Sequence, residues 1–166
     1  AQLLPTREGF VWTANGGSTI GPFRGQGAIL LPRGGATIIR IAGLTASGVR
    51  ASGDLRVVTG GLSGRLAILG GGLSGDVALG IERGLQRVET QLVARDVKLV
   101  GPPLIVVQRG RLDLVALLDP RGTSIDASFA GQGLRYGDIA FVRATGDAKL
   151  VGGRGQVTAS VTGSRG

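Results

Sequence analysis

The sequence predicts an all-β chain: about a dozen short strands, joined in order by tight turns, in an elongated sheet with one apolar and one polar face. Three observations predict it. Residues 60–69 read GGLSGRLAIL and residues 71–80 read GGLSGDVALG, one short unit written twice, eleven residues apart. Between the glycine clusters the side chains alternate, so Leu62, Leu66 and Ile68 share one parity and Leu73, Val77, Leu79 and Ile81 share the next. Apolar residues at every second position, punctuated by glycine about every ten residues, mark half-buried strands followed by turns.

The remaining elements follow the same pattern. Ahead of the repeat, segments 9–14, 26–31, 37–42, 48–51 and 53–58 read as strands. The repeat supplies 62–69 and 73–81, and 87–99, 104–109, 111–118, 124–131, 134–136, 139–150 and 155–162 follow it. The turns suit chain reversal: Pro32-Arg33-Gly34-Gly35, Gly101-Pro102-Pro103, Asp119-Pro120-Arg121-Gly122 and Gly152-Gly153-Arg154-Gly155 supply a fixed or a positive φ. No proline falls inside a predicted strand, as a hydrogen-bonded ladder requires. Segment 85–95 fits two periods. Leu85, Val88 and Leu92 have helical spacing, while Val88, Thr90, Leu92 and Ala94 alternate; its strand-like flanks favour the strand.

Composition narrows the function. A chain of 166 residues is one domain or one slice of a longer array; lacking any Met and opening in mid-pattern at Ala1, it reads as a single β-rich segment, 1–166, excised from a longer protein. Its 32 glycines show no collagen period. Without cysteine there is no disulfide framework, and no apolar run reaches the length of a membrane-spanning helix. The net charge of +8 comes from 17 Arg and two Lys (Lys98, Lys149) spread singly along the chain, and none of Phe10, Trp12, Phe23, Phe129, Tyr136 and Phe141 sits in a basic cluster. A nucleic-acid surface needs a concentrated basic stripe with stacking aromatics, so no nucleic-acid partner is expected. The arginines read as solvent-facing strand positions, with a weak attraction to anionic headgroups as the functional alternative.

Chemical constellations are sparse. Gly70-Gly71-Gly72-Leu73-Ser74-Gly75 satisfies the dinucleotide-binding glycine pattern after an apolar strand, and Glu89 lies near the distance of a ribose-binding acid. Gly80 and Gly84 weaken the helix that motif requires, and the same loop recurs at Gly61–Gly64, where no such motif exists. A glycine-rich hairpin turn accounts for both copies. With no His and no Cys, the usual general base, thiolate and transition-metal ligands are missing, and the carboxylates stand singly. No catalytic, metal or cofactor site is expected, and the chain is not expected to be an enzyme.

The apolar parity sets are what is left. No helix is available to cover the apolar face, so a second sheet, the same sheet curling over, or a different molecule must do so. A closed β-sandwich core is one reading. The other is an open trough lined by Leu62, Leu66, Ile68, Leu73, Val77, Leu79, Ile81, Leu112, Leu114, Leu118, Ile125, Ala127, Phe129, Val157 and Val161.

Residues 60–166 carry a family resemblance, through the repeated GGLSG turns, the segment QRVETQLVARDVKLVGPPLIVVQRGRLDLVALLDPRGTSIDASFAGQGLRYGDI (86–139) and the closing Gly152-Gly153-Arg154-Gly155-Gln156-Val157. They resemble the C-terminal β-rich region of the TamB (translocation and assembly module) branch of the AsmA-like family of Gram-negative envelope proteins; residues 1–59 match in style only. The resemblance implies a curled open sheet, the β-taco, lined with apolar side chains. It also implies an inner-membrane-anchored protein that spans the periplasm and moves phospholipids to the outer membrane. Assistance to outer-membrane β-barrel assembly, with a barrel partner, belongs to the same implication. The expected ligands are then phospholipid acyl chains. A surface adhesin or stalk with a closed core is the alternative from another class, and a groove for unfolded barrel strands would use the same surface.

Overall fold

The structure is a computed structural model that describes residues 1–18, 21–99 and 104–163. Twelve strands form one antiparallel sheet in which every strand pairs with its sequence neighbours. In chain order they are β1 (Gln2–Thr6), β2 (Gly9–Ser18), β3 (Gly21–Leu30), β4 (Ile38–Ala46), β5 (Val49–Val58) and β6 (Gly61–Gly70). Then follow β7 (Leu73–Glu82), β8 (Leu85–Leu99), β9 (Ile105–Leu118), β10 (Ser124–Tyr136), β11 (Ile139–Val151) and β12 (Arg154–Gly163). The sheet is open, with β1 and β12 as its two edges, and the described residues contain no helix and no second sheet. The closed sandwich is therefore not what forms.

Tight turns impose this order. Ser47-Gly48, Gly71-Gly72, Arg83-Gly84 and Gly152-Gly153 each place two successive residues at positive φ (49° and 78°, 58° and 82°, 53° and 79°, 58° and 77°). Two such residues make the type I′ turn, whose twist matches that of the strands it joins. The glycine-rich loop before Leu73 is thus a two-residue hairpin turn leading into a strand, and segment 85–95 lies in a strand. Where strand-to-strand hops are this short, only the adjacent antiparallel neighbour can be reached.

Fourteen expected segments become twelve strands. Ser52, Gly110 and Gln132-Gly133 read as breaks, yet β5, β9 and β10 run through them. Gly53 is paired on both sides, with Ile41 and Leu66, and Gly110 with Ala94 and Gly131. Strand β1 has no alternating signature and was not expected. Two prolines do lie in strands: Pro5 on the edge strand and Pro22 at the second position of β3, both peripheral places where a missing N–H is tolerated. The expected turn at Gly101-Pro102-Pro103 lies outside the described residues.

Two irregularities change side-chain parity. In β4, Ile41 pairs with Gly53 and Leu44 with Ala51, so two residues, Ala42 and Gly43, stand against Ser52 alone. The Arg50 guanidinium donates to Ala42 O at 2.7 Å across this bulge. Farther along, Asp96 (φ 51°), Gln108, Gly133 (φ 58°) and Val142 are skipped by the ladders at one transverse line through β8–β11. This line is a crease. Bulges and creases of this kind bend strands and increase twist.

Candidate functional site

Residues directly opposite in an antiparallel ladder share a face, so the register can be followed across the whole sheet. One row runs Leu3, Trp12, Gly27, Ile41, Gly53, Leu66, Val77, Thr90, Leu114, Ala127, Ala148 and Val157, crossing all twelve strands. The next runs Pro5, Phe10, Ile29, Ile39, Leu55, Gly64, Leu79, Val88, Ala116, Ile125, Leu150 and Gly155. On the other side of the first lie Ala14, Gly25, Leu44, Ala51, Ile68, Gly75, Leu92, Leu112, Phe129, Gly146 and Ala159. A fourth row adds Gly16, Phe23, Ala46, Val49, Gly70, Leu73, Ala94, Gly110, Gly131, Ala144 and Val161. Thr90 is the one side chain in these rows that is neither apolar nor glycine.

All fifteen residues expected to line a trough fall on this one face. Twelve stand in the four rows, and Leu62, Ile81 and Leu118 sit one row farther out, Ile81 and Leu118 flanking Gln86. Most are half-buried by their neighbours, whereas Leu118, Val157 and Val161 are exposed. Sequence reasoning left out the first five strands, which contribute Phe10, Trp12, Phe23, Ile29, Ile39, Ile41, Leu44 and Leu55. The alternation of Phe10, Trp12 and Ala14 carried that signal; the parity slip at Ala42-Gly43 hid it in β4. Beyond the crease, Val107 and Leu134 come back to the apolar side. Val107 Cγ1 and the Leu134 methyls occupy the space toward which Gly110 and Gly131 would project a side chain.

The face is large and uncovered. Four rows about 6.8 Å apart across a sheet some 53 Å wide span roughly 1,400 Å², against the 300–600 Å² of the largest patch on an ordinary monomer. Among the described residues only Leu55, Val97 and Ala116 are buried apolar side chains. The chain exposes 11291 Å², nearly half as much again as the roughly 7,700 Å² expected of a folded monomer of its mass. Glycine levels the surface: the Trp12 ring lies over Gly25 and Gly27, Phe23 over Gly16, and Phe129 over Gly131.

The opposite face is polar, and five of its basic side chains are held in described ion pairs. Arg40 and Asp54 pair at 3.0 Å, Arg65 and Asp76 at 3.4 Å, Lys149 and Asp126 at 3.7 Å. Arg87 holds Glu82 at 2.7 Å and Glu89 at 3.2 Å, and Arg111 holds Asp113 at 2.6 Å. Hydrogen bonds from Arg40 and Arg111 keep the Asp54 and Asp113 carboxyls below the usual carboxylate range. These carboxylates are acceptors in ion pairs at the water interface. One polar group serves the apolar side: Gln86, whose amide donates to Leu62 O at 3.0 Å and accepts from Leu62 N–H at 2.7 Å. Comparison with protein-family models, with curated proteins and with solved structures finds no match to this chain.

Proposed function

We propose that this chain is a segment of a periplasm-spanning Gram-negative envelope protein of the TamB and AsmA-like kind, anchored in the inner membrane outside this segment. Its apolar face shields phospholipid acyl chains and conducts them between the inner and outer membranes. The observation that carries the reading is the uncovered apolar face, continuous through every strand. Each methylene kept from water on it is worth about 0.8 kcal/mol, so a lipid tail supplies what the sheet itself lacks. A surface with a single hydroxyl in its four rows offers no fixed polar anchor, so a tail can slide, and no catalytic group is needed. The outer ion-pair lattice keeps the other face wetted, which a conduit in an aqueous compartment requires.

A second reading uses the same surface. Every residue of β12 is exposed and its outer edge is unpaired. That edge can accept an extended segment by strand addition, as assistance to barrel assembly would demand. A closed-core adhesin stalk fits less well, because the apolar side is left open.

The test is native mass spectrometry with lipid extraction on the chain purified from cells without detergent, alongside Leu79→Asp, Leu114→Asp and Phe129→Asp. Phospholipid is expected on the parent chain and depleted in all three variants, each retaining a β-type circular dichroism spectrum. Lipid at the parental level in folded variants, or a lipid-free and stably folded parent, would refute the conduit.

A further inference from the structure

Basic residues on the polar face stand opposite acidic or neutral neighbours in every described ladder but one. Arg95 on β8 lies directly opposite Arg109 on β9. The same transverse row continues through Gln132 to Arg143. Like charges set directly across a ladder destabilise the pair, and no described ion pair engages any of these three arginines. The row borders the crease, where Asp96 and Gly133 bend their strands. There the sheet forms a hollow of about 690 Å³ lined by Arg95, Asp96, Gln108, Arg109 and Gln132. A second hollow adjoins it and brings in Arg143 and the Thr145 side of β11. The three guanidinium groups outweigh the one carboxylate, and the two glutamine amides add neutral donors.

We propose that this crease binds a phosphate group. Arginine forks match phosphate oxygens two at a time, and a bound anion relieves the Arg95–Arg109 repulsion that the free protein carries. The site lies on the face away from the apolar rows and does not depend on acyl-chain binding there. The phosphate belongs either to an anionic headgroup at a bilayer surface or to a small molecule in solution.

The test follows the arginine side-chain N–H signals of the labelled 166-residue chain by NMR during titration with inorganic phosphate. In parallel, the chain is co-sedimented with phosphatidylcholine vesicles with and without phosphatidylglycerol. Arg95→Gln and Arg109→Gln are compared with Arg56→Gln, an exposed arginine elsewhere on the same face whose loss removes the same charge. Binding is expected to fall about tenfold or more in the first two and less than twofold in the third. Free phosphate shifting Arg95, Arg109 and Arg143 identifies a soluble ligand. Binding confined to phosphatidylglycerol vesicles, with the same variant pattern, identifies a headgroup. Equal losses in all three variants would reduce the effect to general charge attraction and overturn the site, as would the absence of any response to either probe.

Discussion

Replacing Gln86 by leucine should destabilise the sheet even though it makes an apolar face more apolar. The ladder between β6 and β7 runs from Gly70↔Leu73 to Gly64↔Leu79 and stops there, so Leu62 has no main-chain partner on β7. The Gln86 amide crosses from β8 to fill the gap. It accepts from Leu62 N–H at 2.7 Å and donates to Leu62 O at 3.0 Å, Gly80 O at 3.0 Å and Arg87 O at 3.1 Å. Leucine makes none of these bonds and leaves two half-buried main-chain groups of Leu62 unmatched, at about 1–2 kcal/mol each. Added apolar contact returns about 1 kcal/mol, leaving a net loss of about 1–3 kcal/mol. Urea unfolding followed by circular dichroism measures it, and faster hydrogen exchange at the Leu62 amide localises it. Gln86→Glu sharpens the test. It keeps an acceptor for Leu62 N–H but turns a second oxygen toward three carbonyls, so it should be worse at neutral pH and improve as the carboxyl protonates. A Gln86→Leu chain as stable as the parent, with Leu62 exchange unchanged, would refute the reasoning.

Three further outcomes are expected. Gly75→Ala should cost about 2–3 kcal/mol, since Gly75 holds φ 149° and its added methyl would meet Gln91 O on the next strand. Gly80→Ala, with open space around it, should stay within about 0.5 kcal/mol in the same urea assay. For Asp54, whose carboxyl Arg40 holds low through hydrogen bonds, the folded value lies below the unfolded one. Its contribution is therefore complete above about pH 4 and is lost as pH falls through the depressed value. Titrating the Asp54 carboxyl by NMR should give a value that rises in Arg40→Gln, with a small effect on acid unfolding because both groups are solvated.

How far the sequence could be read depended on what sets each feature. Alternation in 62–69 and 73–81 reports directly on face, because in a strand only the period decides which way a side chain points. Hence it was legible that the fifteen residues share one face. Glycine was ambiguous. At Gly71-Gly72 it makes a turn, but at Gly53 and Gly110 it sits inside a paired ladder, and a single letter cannot distinguish the two. Asp96 was invisible, since a non-glycine residue at φ 51° carries no local signature. So was the pairing of Arg95 with Arg109, which depends on the register of residues fourteen apart. Gln86 carried no signal in the sequence, because its role arises from a gap between two other strands.

What the apolar face is for turns on its texture. A face made to dock one folded partner would be expected to carry protruding anchors and the pockets that receive their counterparts. Here glycines lie under the aromatic rings, so Trp12, Phe23 and Phe129 spread flat rather than stand up. Small residues recur along every row, and between Pro5 and Gly155 one row crosses the entire sheet without a polar atom on a side chain. Such a surface holds apolar matter strongly and any particular arrangement of it weakly, which suits a mobile chain better than a fixed partner. The opposite face has the reverse character, with charges of both signs, several held in ion pairs, and one ladder pair that sets two arginines directly opposite each other. A sheet of single thickness can display two chemistries this different because neither face is spent on forming a core.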